Sequence, residues 1–486
     1  MTNNKIFNKN KVDMTKKFNK IFKGDINMTN KLNCIKKGAK YVIGAAVLAT
    51  GLSSAAFGLD KDNNNYYQIC NEKDLREFAE LVNSGKECDA KGKLMNDIDL
   101  NCKNFGEWIP IGTDNSPFQG ELINNDDDNN KKITGLYINK EDNDFQGLFG
   151  CVDTEGKVEN IMVENAEIHG KDNIGGIAGY NKGTIIKCFA DNSIEGNNNV
   201  GGIIGLNEGT MIGAWCNKNG AVAGEENVGG IVGNNKGTIK GTCINEGLVK
   251  GFFQVGGIVG DNSGTMLEES WYSNSGEVIG RDERRWDSKE LRLRLNSKRV
   301  GGNIGYNSGK IAGYCVNTGK VKGEYVVGGN IGFNIGEIEE CENREEVKGI
   351  WEVGGNVGAN GDIFEFLRVV EFEGTIKKCE NGGNVEGTIK KCENSGNVVG
   401  ETAYAYAIGG NVGESVGIIN NCKNSGNVIG IYYVGGNVGN CGGTIENCNN
   451  EGEVRGKEDI GGNIGNELKN IQKNNLNNTG KVKYYK

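Results

Sequence analysis

Proline is nearly absent from this chain of 486 residues, which has only Pro110 and Pro117, and histidine occurs once, as His169. The first scarcity excludes collagen and proline-rich linkers. The second excludes a metal centre of His type and leaves His169 as the sole base for any Ser-His-Asp arrangement. Aromatic residues make up 7% and the mean hydropathy is -0.49, values met in disordered chains. Long hydrophobic runs are also missing. Beyond residue 58 no apolar segment reaches the length that crosses a membrane.

What is abundant is glycine, 79 residues, and it comes in pairs. Pairs begin at Gly175, Gly201, Gly229, Gly256, Gly301, Gly328, Gly354, Gly409, Gly435 and Gly461, in steps of 26, 28, 27, 45, 27, 26, 55, 26 and 26 residues. A period in the twenties signals a repeat architecture. The step of 45 reads as one lap with an insert, and the step of 55 as two laps divided at Gly382-Gly383. Each unit, such as residues 228–251, holds short β-prone runs punctuated by Gly and Asn, too short for helices. The expected fold is all-β: a parallel β-helix with three short strands per lap of 26–28 residues, one in each of three sheets. Such a solenoid buries small aliphatics in a thin core, so few aromatics are needed.

Strand alternation assigns faces. Val228, Gly230 and Val232 should point inward and Ile231 outward. The slot of Ile231 is Ile177, Ile203, Ile231 and Ile258, then Asn303, Asn330, Asn356, Asn411, Asn437 and Asn463. That switch suggests an outward column, because an unpaired buried amide costs about 1–3 kcal/mol, and stacked asparagines can bond along the axis. A second column, Cys188, Cys216, Cys243, Cys315, Cys341, Cys392, Cys422 and Cys448, is expected inward as free thiols, with Cys379 in the same context. Two residues on, Asn245, Asn317, Asn343, Asn381, Asn394, Asn424 and Asn450 mark a turn. Six residues after the cysteine, Ile194, Val222, Val249, Val321, Val347, Val398, Val428 and Val454 close the lap.

Residues 1–58 differ: eleven lysines stand against Asp13 and Asp25, followed by an apolar run from Tyr41 to Leu52 and small residues to Gly58. This reads as a secretory signal with a long basic n-region. Its removal would take the formal charge from -9 to -18. So acidic a surface disfavours nucleic acid as a partner. Residues 59–173 form a cap and first laps, 174–465 the repeats with an insert at 281–299 and an irregular double lap at 354–408, and 466–486 a polar tail. Asn71 to Gly85 is an amphipathic helix, with Leu75, Phe78, Ala79 and Val82 on one face, suited to covering the first strand edges.

The order Phe78-Ala-Glu-Leu-Val-Asn-Ser-Gly85, Leu94-Met-Asn-Asp-Ile-Asp-Leu100, Trp108-Ile-Pro-Ile-Gly112, Ile133-Thr-Gly-Leu-Tyr-Ile138 and Gly147-Leu-Phe-Gly150, leading into Gly-Gly-Ile-x-Gly repeats, resembles secreted bacterial proteins with GLUG-motif repeats. These include adhesin-like surface proteins and the non-catalytic N-terminal region of IgA-cleaving metalloendopeptidases. The resemblance, over about residues 66 to 465, implies a right-handed parallel β-helix on an exported protein. The peptidases carry a His-Glu-x-x-His zinc motif, which a chain with one histidine lacks.

Candidate chemistry is sparse. Asp97 and Asp99 share a face of an expected strand, about 7 Å apart, near a glycosidase separation; the run also fits the scaffold pattern. Asp126, Asp127 and Asp128 offer oxygen ligands to calcium, or a solvated loop. Cys70, Cys88 and Cys102 allow a bridge among them in an exported chain. The insert from Arg281 to Arg299 carries eight basic residues against four acidic ones. Lap insertions map to surface loops and often to binding faces.

No catalytic, cofactor or metal site is expected from this inventory. The reading is an exported, non-enzymatic binding protein, secreted or on the cell surface. It would present loops to a host or matrix glycan or protein, with 281–299 as the contact candidate. The alternative is a polysaccharide lyase or hydrolase of the β-helix type.

Overall fold

A computed structural model describes residues 59–124, 131–216, 220–280, 298–361, 388–400, 405–468 and 471–485. The signal-like segment, Asp126–Asp128, most of the basic insert, Cys379, Asn381 and Gly382-Gly383 lie outside them. The described chain is a parallel β-solenoid with three sheets, of 32, ten and eleven strands, here called the wide, ten-stranded and eleven-stranded sheets. In the unit 226–251 the chain runs Glu226–Gly229 in the ten-stranded sheet and Val232–Asn235 in the eleven-stranded one. It then runs through Thr238–Asn245 and Leu248–Gly251 in the wide sheet. The three sheets are as expected. A lap nevertheless holds four strand segments, because the wide sheet takes two.

The glycine pairs sit where the chain turns between the two narrow sheets. A Cβ on Gly230 would run into the carbonyl of Gly257 and the side chain of Asn245, so the corner admits no side chain. This corner also corrects the face assignment. Gly230 and Ile231 belong to no strand, so alternation does not pass through them, and Ile231 turns inward. Ile177, Ile203, Ile231, Ile258, Asn303, Asn330, Asn356, Asn411 and Asn437 are all fully buried. The switch to asparagine is tolerated because each amide is paired with the next. Nδ2 donates to the following Oδ1 at 2.6–2.8 Å from Asn303 through Asn330, Asn356, Asn411 and Asn437 to Asn463.

Two further amide ladders run parallel to it. Asn245, Asn274, Asn317, Asn343, Asn394, Asn424, Asn450 and Asn478 are linked in succession. Most also donate to the carbonyl two residues on, as Asn245 does to Gly247, which is the local bond expected of a turn. Asn181, Asn207, Asn235, Asn262, Asn307, Asn334 and Asn360 form the other ladder, which passes to Ser415. The Asn-x-Gly triplets that carry it stand in plain view in the sequence, but only one of the three ladders was expected to be a turn.

The recurring cysteines are inward, and one of them stands off the column. Cys243, Tyr272, Cys315, Cys341 and Cys392 pair in succession, and Cys188 joins them through Ala214. Cys216 instead aligns with Ala190 and Asn245. It lies two residues beyond Ala214, the residue that occupies the cysteine slot in its lap. The described members carry free, buried thiols. The aliphatic column closes the lap as expected: Ile194, Val222, Val249, Val321, Val347, Val398, Val428 and Val454 are at most 2% exposed.

Two boundaries differ from expectation. Across the step of 55 residues the ladder counts one lap, not two: Gly354 pairs directly with Gly409, Val357 with Val412 and Val347 with Val398. Within the polar segment, Gln472–Asn474, Asn477–Asn478 and Val482–Tyr484 continue the wide sheet, stacked on the lap before.

At the other end, α1 (Glu72–Asn83) is capped by Asn71, whose side chain accepts from the Asp74 N–H at 3.1 Å. It buries Leu75, Phe78, Ala79, Leu81 and Val82 against the first lap. Cys70 is disulfide-bonded, but Cys88 and Cys102 are free, so the bridge expected among the three does not form.

Candidate functional site

The residues singled out from the sequence do not converge. Asp97 and Asp99 are both exposed and each serves the backbone: Asp97 Oδ1 accepts from the Lys132 N–H and Asp99 Oδ1 from that of Asn101. Asp99 lines a shallow cavity of about 220 Å³ with Lys103, Tyr137 and Glu167, and Asp97 does not. His169 lies between Glu167 and Glu195, at 3.5 and 3.6 Å. Among the described residues no group of three His, Cys, Asp or Glu side chains is placed to hold a metal. Of the basic insert, Lys298 and Arg299 are described, and both are folded onto the rod.

A feature the sequence reading missed is a strip along the edge where the ten- and eleven-stranded sheets meet. One residue per lap, just before the inward valine of the ten-stranded sheet, takes left-handed backbone. Asn173, Asn199, Asn227, Gln254, Val326, Glu352, Ala407, Tyr433 and Asp459 have φ between 44° and 59°. Such φ is uncommon outside glycine and an outlier for a β-branched residue such as Val326. For all but Asp459 a glycine of the adjoining strand packs on it: a Cβ on Gly233 would fall 2.5 Å from the carbonyl carbon of Asn199, and one on Gly413 2.5 Å from that of Glu352. The residue after each such glycine therefore borders the left-handed column, and the two columns form a seam outside the main core.

The seam does not repeat; its residues vary from lap to lap. Asn234 donates across it to Asn199 at 3.3 Å, and Phe145 stacks on Tyr180 with centroids 6.0 Å apart. Arg299 lies over both Tyr306 and Phe333, 4.6 and 4.7 Å from their ring centroids. Val326, Phe333 and Ala359 make a small cluster separate from the main core. Further along, Glu352 faces Glu414, the two being 5% and 3% exposed, too enclosed for a sugar to reach. Burial also holds the Asp261 carboxyl up to about 6, against the pull of Arg299.

Beside the seam runs a row of rings on the ten-stranded sheet. Tyr325, Trp351, Tyr406 and Tyr432 are ladder partners, one per lap, and all are partly exposed. Tyr325 and Trp351 are near-parallel at 6.3 Å, Trp351 and Tyr406 stand 5.7 Å apart, and Tyr406 meets Tyr433 at 4.6 Å. Lys298 closes the row's upper end, 5.9 Å from the Tyr325 ring and 3.1 Å from Glu324. The signal was available: Tyr-Val-Val-Gly-Gly, Trp-Glu-Val-Gly-Gly, Tyr-Ala-Ile-Gly-Gly and Tyr-Tyr-Val-Gly-Gly open successive repeats. Tyr, Trp and Arg are the residue types enriched at binding hot spots.

Among the described residues no helix is long and apolar enough to cross a membrane. No protein-family profile matches the chain. A stretch of 113 residues is 30% identical to halomucin of Haloquadratum walsbyi, covering 22% of this chain and 1% of the relative. A stretch of 103 residues is 33% identical to a protein of Evansella cellulosilytica provisionally named a Gly-rich membrane protein, covering 19% of this chain and 11% of the relative. A crystal structure from Bacteroides ovatus, provisionally named an immunoglobulin A1 protease, aligns over 70% of this chain and 80% of its own, with a TM-score of 0.34 and 16% identity. The chain thus spans a small fraction of the curated relatives it matches, one of them named for a membrane.

Proposed function

We propose that this chain is an exported, non-enzymatic binding protein of the adhesin-like kind, secreted or held at the cell surface, whose rod presents the aromatic strip to a host or matrix glycan or protein. The observation that carries the reading is the contrast between columns. Inward positions repeat Val, Ile, Cys and Asn lap after lap, while the strip gathers Tyr325, Trp351, Tyr406, Tyr432 and Tyr433 at half-exposed positions. A rigid ladder holds these rings at one per lap, about 4.8 Å apart along the axis, so little ordering entropy is left to lose on contact. The signal-like segment 1–58 supports export, and the acidic remainder disfavours nucleic acid.

The test is a screen of the exported chain against glycans and matrix proteins, beside the variant W351A/Y432A and a variant lacking residues 282–297. Loss of binding in the first variant, with circular dichroism unchanged, is expected. Binding retained there and lost in the second would move the contact to the basic insert. Turnover of an acidic polysaccharide, abolished in D97N, would replace the binding reading by the enzymatic one.

A further inference from the structure

The seam buries two facing acids, Glu352 and Glu414. Glu352 follows Trp351 in the strand Trp351–Gly354, and Glu414 follows Gly413 in the strand Val412–Ser415 of the next lap. Gly413 packs on the Glu352 backbone, so the two side chains emerge side by side. Their ladder neighbours in the seam are Ala359, which pairs with Glu414, and Ala407, one lap after Glu352. Two alanines leave the space that two long acids fill. Glu414 Oε1 accepts from Asn440 Nδ2 at 3.1 Å. Glu352 Oε2 is buried and has no hydrogen-bond partner.

Two facing carboxylates this deeply buried do not readily both carry charge. Burial, then the charge of Glu414, holds the Glu352 carboxyl well above the usual range, with Arg299 opposing. Burial likewise raises Glu414, against the Asn440 amide. Arg299 cannot serve the pair alone, since Asp261 and Glu226 also draw on it and its guanidinium lies over Tyr306 and Phe333. The phenol of Tyr406, which meets Tyr433, also stands against the pair, and burial keeps it neutral.

We propose that Glu352 and Glu414 together keep at least one proton while the seam is closed, so that the pair acts as a latch between the ten- and eleven-stranded sheets, closed in acid and loosened in base. The sign follows from linkage. Both folded values lie above the unfolded glutamate value of about 4.3. The pair's contribution is therefore complete in acid and is lost as pH rises through the folded values. Loosening would reach Trp351 and Tyr406, which adjoin the latch, whatever the strip binds.

Amide exchange of the full chain between about pH 5 and pH 9 tests this. Around Val353–Val357 and Asn411–Glu414, wild type should accelerate about tenfold beyond the intrinsic pH effect. E352Q and E414Q should each lose that excess, and the double variant also covers failure of one to fold. Infrared difference spectra of wild type against E352Q should show a protonated carboxyl band near neutrality. Wild type and variants with the same pH slope, or no such band, would overturn the latch. Neither result bears on glycan or protein binding.

Discussion

Ile258 and Asn303 fill the same inward slot on adjacent laps, and at that junction the Oδ1 of Asn303 has no hydrogen-bond partner. The column changes chemistry there. Above it lie four isoleucines with no amide to offer; below it every buried asparagine is paired with the next. The ladder therefore has a defined start, and position within it decides what a substitution costs.

N303I removes the orphaned oxygen and passes it to Asn330, losing one bond and gaining aliphatic burial. Its stability should stay within about 1 kcal/mol of wild type. N356I strands Asn330 Nδ2 above and Asn411 Oδ1 below, and should cost roughly 2–5 kcal/mol. A solenoid need not unfold in one step, so amide exchange lap by lap is the suitable measurement. Equal effects from both variants would mean that the amides are not paired as described.

The buried thiols should be inert. Desolvation pushes Cys188, Cys216, Cys243 and Cys315 up to about 12 and raises Cys341, whose sulfur lies 2.7 Å from that of Cys392. At neutral pH they hold almost no thiolate, the reactive form. Cys88 is half-buried. Peptide mapping after brief treatment with a thiol reagent should find Cys88 modified first among the described cysteines, and the column only after unfolding. Native labelling of Cys341 or Cys392 at the rate of Cys88 would show that the column opens.

Much of this was legible because it repeats. A period in the twenties, inward valines, a cysteine column and a capping helix each follow from spacing and polarity, and all are found. The Ile/Asn slot was misplaced because alternation was carried through a corner where Gly230 and Ile231 leave the strand. The seam escaped for a related reason. A left-handed residue such as Glu352 turns its side chain out of sequence with its neighbours, and which glycine packs on it depends on the lap height, which spacing does not give. Cys216 shows the limit from another side, since it falls two residues past the slot that Ala214 takes in its lap.

The basic insert should be dispensable to the fold up to its last two residues. Val255 pairs with Val300 and Gly256 with Gly301 directly across it. Gly280 and Lys298 stand where Gly323 and Tyr325 stand one lap later, and those two are joined by Glu324 alone. Deleting residues 282–297 would leave Arg281 as the same one-residue link. Stability within about 0.5 kcal/mol of wild type is expected by thermal melting. R299A, which strips a guanidinium from two rings, should cost roughly 1–3 kcal/mol. A deletion that unfolds the rod, beside a silent R299A, would contradict this placement.

Phe78 is the residue on which the capping of the first lap turns. It is fully buried, packs edge-on against Tyr67 and Phe118 at 6.2 and 6.1 Å, and reaches into a gap left by Gly92. A Cβ at Gly92 would lie 3.0 Å from its ring and 2.9 Å from Ile69 and Leu122. F78A should cost about 3–5 kcal/mol, and the loss is local: α1 lifts while later laps, held by their own ladders, stay closed. Exchange should quicken in Tyr67–Ile69 and Lys91–Leu94 and stay slow in Thr238–Asn245. Uncovering the first strand edge also exposes unpaired backbone to other molecules, so F78A should associate at concentrations where wild type does not, as read by light scattering. Uniform loss of protection along the rod would show that the cap and the laps fold as one unit.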